Sequence, residues 1–266
     1  MSANDKSSAE SDRFTLRGDE IHVWRVMLDD QQRRLAELHA LLSDDERQRA
    51  IRFHSAHNRM RFVVARAALR SILSTYLNTS AASIRFRYGD RGKPELHDEN
   101  GVERPQFNLS HSRGTAVIAI ARRRALGIDI EAKTSSVAHD RVAAQFFSAG
   151  EKDHLSSLPH EQRRAAFFAY WTLKEAYLKG RGEGVLGRLA RFDVALTSSW
   201  EARLVTDRDD PMAAEHWSLI PLRVARGFAS AIAIRGPLLS STLRDWRPYD
   251  SGCGSERRFR VLAVLA

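Results

Sequence analysis

The sequence predicts an α+β fold built from two similar halves that are related by a pseudo-two-fold axis. Each half carries one long segment with the apolar spacing of an amphipathic helix, at residues 58–77 and 161–182. Each half also has a late Ala/Ile strand after an Arg-Gly pair, "RGTAVIAI" (113–120) in the first and "RGFASAIAI" (226–234) in the second. We therefore expect each half to be a small, largely antiparallel sheet packed on its long helix, with the active site in the cleft between the halves.

The first half is predicted to run from a strand through helices to a late strand. "IHVWRVML" (21–28) alternates as a strand does, and the leucine spacing indicates a helix over 31–42. Ser43, followed three residues later by Glu46, has the pattern of a capping box that starts the next helix. The long helix at 58–77 comes after it. A strand and a Gly- and Pro-bearing turn follow in "IRFRYGDRGKPEL" (84–96), and a further strand lies in "QFNLSHSRGTAVIAIAR" (106–122).

The second half is predicted to open with the strand "ALGIDIEA" (125–132). Alternation along this strand places Ile128 and Ile130 on one face and Asp129 and Glu131 on the other. Two helical segments with a break fit "AAQFFSAGEKDHLSSL" (143–158), before the long helix, and shorter strands are predicted at 191–196, 216–222 and 227–234. The predicted boundaries are a disordered leader at 1–13, an N-terminal half at 14–124, a C-terminal half at 125–240 that carries the carboxylates, and a tail at 241–266.

Composition narrows the class of protein. The chain has 266 residues and a net charge of +9, which suggests an anionic partner: a nucleic acid, a phosphorylated small molecule or an acidic protein. On charge alone, a general preference for Arg on exposed faces is the favoured explanation. The single cysteine, Cys253, excludes an intramolecular disulfide and any multi-cysteine metal site. No apolar run approaches the roughly 20 residues of a membrane span, and no secretory signal is recognisable. We expect a cytoplasmic protein that does not enter a membrane.

The acidic face of the strand at 125–132 is the first candidate site. Asp129 and Glu131 offer hard oxygen ligands of the kind that Mg²⁺ prefers. Glu175 and Lys179 are spaced i, i+4 on the second long helix and so share one face. Such a pair is commonly a solvated ion pair, but the aromatic residues around it indicate a position against a core or a cleft.

A second candidate is "FNLSHS", which is predicted to supply a turn directly after a strand end. Ser110, His111 and Ser112 would then offer hydroxyls, backbone N–H groups and an imidazole to a phosphate. No nucleophile elbow surrounds either serine, so a nucleophilic triad is not predicted. Lys93 lies on a turn that Pro94 makes rigid.

These segments together resemble a known family. The ordered set "GKPEL", "FNLSHS", "GIDIE", "FFSAGE" and "WTLKEAYLKGRGEG" is similar to the 4′-phosphopantetheinyl transferases of the surfactin-synthetase-activating (Sfp-like) type. The resemblance runs from about Ser43 to Leu196. It implies transfer of the phosphopantetheine arm of coenzyme A to a serine of an apo acyl or peptidyl carrier protein, with release of adenosine 3′,5′-bisphosphate.

The resemblance also implies a role for each matching residue. It places Asp129, Glu131 and Glu175 around Mg²⁺, which would also grip the coenzyme A diphosphate, and Lys179 beside the same phosphates. Glu151 of "FFSAGE" is the implied general base, a role that Glu175 could share. The implied contacts with coenzyme A are Arg49, Arg61, Lys93, Ser110, His111 and Lys179, with Arg59 as a further possibility.

One departure from the family pattern concerns the 3′-phosphate. The chain has Glu46 where the family often has a basic residue, and Arg47 or Arg49 would have to take over that contact. The implied partners are coenzyme A and an acidic carrier protein that docks on a basic surface, with no nucleic acid and no membrane. Two halves fused in one chain are expected to work as a monomer.

Two other functions use the same residues differently. A basic nucleic-acid-binding module would use "ARRRA" (121–125) and the Arg-rich helix, and it leaves Asp129, Glu131 and Glu175 without a role. A metal-dependent diphosphate hydrolase would use those carboxylates with water as the nucleophile and would need no carrier.

Overall fold

The computed structural model describes residues 16–89, 92–97, 104–134, 139–184, 188–238 and 240–248, and the backbone of 257–259. The predicted leader and Cys253 lie outside the described residues. The helices are α1 (Leu35–Ala40), α2 (Asp44–Ile51), α3 (Ala56–Leu77), α4 (His139–Phe146), α5 (Ala149–Ser157), α6 (His160–Arg181) and α7 (Ala213–His216). The strands are β1 (Glu20–Met27), β2 (Phe86–Tyr88), β3 (Pro94–Leu96), β4 (Pro105–Ser112), β5 (Thr115–Arg122), β6 (Leu126–Ala132), β7 (Phe192–Leu196), β8 (Ala202–Asp207), β9 (Trp217–Leu222), β10 (Phe228–Arg235), β11 (Ser240–Asp245) and β12 (Arg257–Phe259).

The two halves repeat one topology. The first sheet has the strand order β12–β11–β1–β5–β4, and the second has the order β6–β10–β9. Each half therefore runs strand, long helix and two strands, with the last of these strands in the middle: β1, α3, β4 and β5, then β6, α6, β9 and β10. The two Ala/Ile strands of the sequence, β5 and β10, occupy the equivalent central positions. The predicted α+β class with two similar halves is confirmed.

Alternation along the strands builds three apolar cores. On β5, Ile118 and Ile120 pack against α3, while Val117 and Ala119 face the second sheet. On β6 the isoleucines lie in the core between the two sheets, and a third core lies between the second sheet and α6. The layers are therefore helix, sheet, sheet and helix. Asp129 and Glu131 are left on the side of β6 that faces α6.

The prediction of a turn at Ser110–Ser112 is wrong. Strand β4 continues through Ser112, because Ser110 pairs with Val117 and Ser112 with Thr115 across the β4–β5 hairpin. The turn lies at Arg113 and Gly114, and Arg113 takes a left-handed φ of 50°. Since successive strand residues point to opposite faces, Ser110 and Ser112 share one face and His111 lies on the other.

Residues after 240 contribute to the first half. Strand β11 pairs in parallel with β1, from Glu20 opposite Ser240 to Arg25 opposite Asp245. Arg25 also donates two side-chain hydrogen bonds to Asp245, at 2.6 and 2.8 Å. The segment predicted as the beginning of a tail is thus a strand of the first sheet. Over the same described residues, none of the helices has the length and apolar character that a membrane span requires.

Candidate active site

A glycine contact brings helix α6 onto strand β6. A Cβ atom on Gly127 would overlap the backbone of Ala176, Lys179 and Gly180, and a Cβ on Gly180 would overlap the Trp217 ring. Only glycine permits this approach of strand and helix. The approach is what carries side chains of α6 to the carboxylates of β6.

Asp129 is the centre of the resulting cluster. Its side chain is 1% exposed, and its Oδ1 accepts hydrogen bonds from Lys179 Nζ at 2.5 Å and from Ser110 Oγ at 2.8 Å. The Nζ of Lys179 also lies 3.4 Å from a carboxylate oxygen of Glu175. The other oxygen, Asp129 Oδ2, is buried and has no hydrogen-bond partner among the described residues. A buried carboxylate oxygen without a partner is costly unless a ligand or a cation completes it.

The carboxylates at this site repel one another. Burial, and then the charge of Asp129, raise the pKa of Glu175 to about 7. Burial followed by Asp129 also raises the pKa of Glu131. Burial alone would lower the pKa of Lys179, but Asp129 and Glu175 outweigh it and the pKa is raised. The site therefore carries excess negative charge, which an added cation would relieve.

The donor set fits Mg²⁺ in its chemistry. Carboxylate oxygens are the ligands that Mg²⁺ takes, and Asp129 Oδ2 is an oxygen that lacks a partner. In the described part of the chain, no three His, Cys, Asp or Glu side chains are already grouped to hold a metal ion. The ammonium of Lys179, in contact with Asp129 and Glu175, is the cation that these side chains hold in this structure.

Strand β4 reaches the site through a ladder of alternate side chains, Asn108, Ser110 and Ser112, which we name the β4 ladder. Asn108 Oδ1 accepts from the backbone N–H of Ile128 at 2.8 Å, and Ser112 Oγ accepts from that of Ala132 at 3.0 Å. These side chains complete hydrogen bonds along the edge of β6 and so join the two halves.

His111 lies on the opposite face of β4 from the β4 ladder, and Arg61 lies beside the turn of the same hairpin, with its Nη2 3.5 Å from where a Cβ on Gly114 would stand. Desolvation, followed by the positive charges of Lys179 and Arg61, lowers the pKa of His111. Arg61 donates two hydrogen bonds to Asp29, both at 2.7 Å. Arg61 is therefore held beside the β4–β5 hairpin that carries His111.

Two other predicted contacts with coenzyme A are placed differently. Arg49 is exposed, with its guanidinium 5.6 Å from the centre of the Phe62 ring. Lys93 Nζ donates to the carbonyl oxygen of Lys179 at 2.8 Å and to that of Leu126 at 3.5 Å. Lys93 thus donates to a carbonyl group of the last turn of α6 and to one of β6, and burial lowers its pKa.

Glu151 is not part of the carboxylate cluster. Glu151 is 2% exposed, and its Oε1 accepts hydrogen bonds from Lys174 Nζ at 2.7 Å and from the backbone N–H of Val194 at 2.8 Å. Its Oε2 accepts from the N–H of Ser148 at 2.9 Å, which closes a capping box at the start of α5. Both oxygens are engaged in the interior of the second half, and Lys174 is itself fully buried.

The first half contains the same arrangement. Glu46 is fully buried in the capping box of α2 and accepts from Arg66 Nε at 2.6 Å and from Arg70 Nε at 2.5 Å. Arg70 and Lys174 occupy the fifteenth position of α3 and α6, two helices of 22 residues each. A buried glutamate that ties the capping box to the long helix is therefore a repeated feature of the fold. It also explains Glu46, which has no access to a phosphate.

Comparison with known proteins identifies the family. The model of the 4′-phosphopantetheinyl transferase superfamily matches residues 125–233, and that of the 4′-phosphopantetheinyl transferase N-terminal region matches residues 28–123. The 4′-phosphopantetheinyl transferase HetI of Nostoc sp. is 40% identical over 223 residues, which cover 84% of this chain and 91% of HetI. The chain belongs to the 4′-phosphopantetheinyl transferase family.

Other members are similar to this transferase over shorter or more divergent stretches. The 4′-phosphopantetheinyl transferase psf-1 of Bacillus pumilus is 31% identical over 79% of this chain and 87% of its own length. Sfp of Bacillus subtilis is 30% identical over 59% of this chain and 67% of its own length. The crystal structure of Thermotoga maritima holo-[acyl-carrier-protein] synthase overlays with a TM-score of 0.35 at 19% identity, covering 44% of this chain and 66% of that one. The Helicobacter pylori synthase in complex with coenzyme A overlays with a TM-score of 0.33 at 18% identity, covering 42% and 99%.

Sequence reasoning missed two parts of this transferase's site. One is the glycine contact between Gly127 and Gly180, for which the sequence gives no pattern across 53 positions. The other is the β4 ladder, whose signal is the i, i+2, i+4 spacing of Asn108, Ser110 and Ser112 along a strand.

Proposed function

We propose that the protein transfers the 4′-phosphopantetheine arm of coenzyme A to a serine of an apo carrier protein, in a reaction that requires Mg²⁺ and releases adenosine 3′,5′-bisphosphate. Membership of the family supports the reaction. The observation that supports the metal is the buried Oδ2 of Asp129, which has no hydrogen-bond partner among the described residues. Asp129, Glu131 and Glu175 are the residues that would hold the ion.

Mg²⁺, when bound, would supply positive charge to the diphosphate of coenzyme A as the phosphate bond to the nucleotide breaks. Lys179 adds a fixed positive charge at the same place, since it already contacts two of the carboxylates. Arg61 adds a positive charge, and Arg61 and His111 would hold the phosphates of the nucleotide. Arg49 is exposed, with its guanidinium 5.6 Å from the ring of Phe62, the residue after Arg61 on α3, and would meet the 3′-phosphate from there.

The proton of the carrier serine needs an acceptor in the cleft. Glu175 is the better candidate because its side chain is partly exposed and contacts Lys179; in this assignment it contacts the ion only loosely, so that one oxygen is left to accept the proton. Glu151 lacks both access and an unoccupied oxygen. We therefore assign proton transfer to Glu175, directly or through a water molecule, and a structural role to Glu151.

The charge of the protein supports an acidic carrier as the partner. With a net charge of +9, the chain attracts anions over distance, and this attraction speeds encounter most at low salt. Both halves of the cleft lie within one chain, so we assign activity to the monomer.

The test is incubation of the purified protein with coenzyme A, Mg²⁺ and a panel of apo carrier proteins. The expected result is a mass increase of one phosphopantetheine group on the carrier serine, abolished by chelation of the metal. Release of adenosine 3′,5′-bisphosphate without any carrier would instead indicate a diphosphate hydrolase. Salt-sensitive retention on DNA with no reaction of coenzyme A would indicate a nucleic-acid-binding module.

A further inference from the structure

Two serines of the β4 ladder hold the two carboxylates of β6. Ser110 Oγ donates to Asp129 Oδ1 at 2.8 Å, and Ser112 Oγ donates to Glu131 Oε2 at 2.9 Å. The two bonds have the same spacing on both strands, since the serines and the carboxylates are each two residues apart. Each serine therefore donates a hydrogen bond to one of the two carboxylates.

Each hydroxyl has already used its single proton. A serine hydroxyl donates one hydrogen bond and accepts others. Ser110 donates to Asp129 and accepts from Lys179 Nζ at 3.1 Å, and Ser112 donates to Glu131 and accepts from the N–H of Ala132 at 3.0 Å. Neither serine has a proton left to donate to a phosphate.

The serine bonds leave one oxygen of each carboxylate available. Among the described residues, Asp129 Oδ2 is buried without a hydrogen-bond partner, and the bond from Ser112 to Glu131 is made at Oε2, which leaves Oε1 unused by that bond. Ser110 is 6% exposed and Ser112 is partly buried, so both bonds are shielded from competition with water. A carboxylate that has one oxygen held by a serine is fixed in one orientation, and its other oxygen is then fixed in position as well.

We propose that Ser112 is a positioning residue for Glu131, and that Ser110 has the same part for Asp129, so that each carboxylate presents its other oxygen to Mg²⁺. The inference rests on the proposed metal-dependent function. It assigns to the "FNLSHS" segment a role at the metal through the carboxylates, in place of the direct phosphate contact expected of Ser110. Partners of this kind that orient metal ligands typically contribute about 10–100-fold to metal affinity or activity.

The test compares Ser112→Ala, Ser112→Thr and Asn108→Ala. Ser112→Ala removes the bond to Glu131 and the bond from Ala132, whereas Ser112→Thr keeps a hydroxyl. Asn108→Ala is the matched control because Asn108 also bonds to the backbone of β6 but contacts neither carboxylate. Mg²⁺ binding is measured by calorimetry with coenzyme A present and carrier absent, so that no transfer occurs. Melting temperature is measured for each variant.

We expect Ser112→Ala to lose about 10–100-fold in Mg²⁺ affinity while binding coenzyme A alone as the wild type does. Ser112→Thr should recover most of the loss. Asn108→Ala should melt at a lower temperature with unchanged Mg²⁺ affinity. Equal Mg²⁺ affinity in Ser112→Ala and the wild type would overturn the inference and leave the proposed function standing. An equal loss in Asn108→Ala would also overturn it, because the β4 ladder would then act only on stability. A wild-type protein that binds no Mg²⁺ with coenzyme A would overturn both proposals.

Discussion

Replacing Glu151 by glutamine separates a structural role from a catalytic one. Glutamine keeps the size of the side chain and one acceptor oxygen, but it removes the charge that faces Lys174 at 2.7 Å. Lys174 is fully buried, and burial already lowers its pKa. Loss of one partner of a buried ion pair costs about 3–5 kcal/mol, because the remaining charge stays desolvated and unpaired. For a chain of this size we expect a fall in melting temperature of roughly 6–20 °C.

The assay combines urea unfolding with single-turnover transfer at a temperature where every variant is folded. We expect Glu151→Gln to lose the stated stability and to transfer at the wild-type rate per folded molecule. The double variant Glu151→Gln/Lys174→Met should regain much of the stability, since the buried charge is then gone. Glu161→Gln, an exposed glutamate on α6, is the matched control and should stay within about 0.5 kcal/mol of the wild type.

The opposite result would refute this reasoning. If Glu151→Gln unfolds as the wild type does but transfers on the order of 10²–10⁴-fold more slowly, and if higher pH restores part of the rate, Glu151 is the proton acceptor.

Three further predictions concern the carboxylate cluster. Asp129→Asn should bind Mg²⁺ at least about 10–100-fold more weakly than the wild type, because a neutral amide is a weaker ligand than a carboxylate. If calorimetry gives the wild-type affinity, Asp129 is not part of the site. Gly127→Ala should lower the free energy of unfolding by about 1–3 kcal/mol and slow transfer, because the new Cβ overlaps the backbone of α6. The control is Gly150→Ala, whose Cβ would have no atom within 4 Å. In urea unfolding it should be as stable as the wild type or more stable. The raised pKa of Glu175 stabilises the metal-free fold below pH 4.5, and this contribution is lost as the pH rises through about 7. Binding of Mg²⁺ with coenzyme A should therefore release protons, and its affinity should increase as the pH rises from 5 to 7. Proton release is measured by calorimetry in buffers of different ionisation enthalpy. If Glu175 were already charged before binding, no proton release would be detected.

A short sequence motif was sufficient to predict a structural feature that depends only on neighbouring residues in the chain. The pattern Ser-x-x-Glu identified the capping box at Ser43 and Glu46, and the structure contains it. The same pattern stands at Ser148 and Glu151, where the family resemblance led instead to a catalytic prediction. What the pattern could not give is the partner of each glutamate, which comes from a helix 20 or more positions away. A charged side chain is structural or catalytic according to that partner and to its access to water.

The sequence by itself determined the order of the elements, the two-half α+β class and the residue types of the site, because apolar periodicity and short motifs depend on neighbours in the chain. Only the tertiary structure decided which side chains meet. The approach of α6 to β6 at Gly127 brought Lys179 to Asp129, and packing of β4 beside β6 brought the serines to the carboxylates. It also buried Glu151 and placed β11 beside β1. These outcomes depend on packing between segments that are 19 to 220 positions apart, and no local pattern encodes the distance between two such segments.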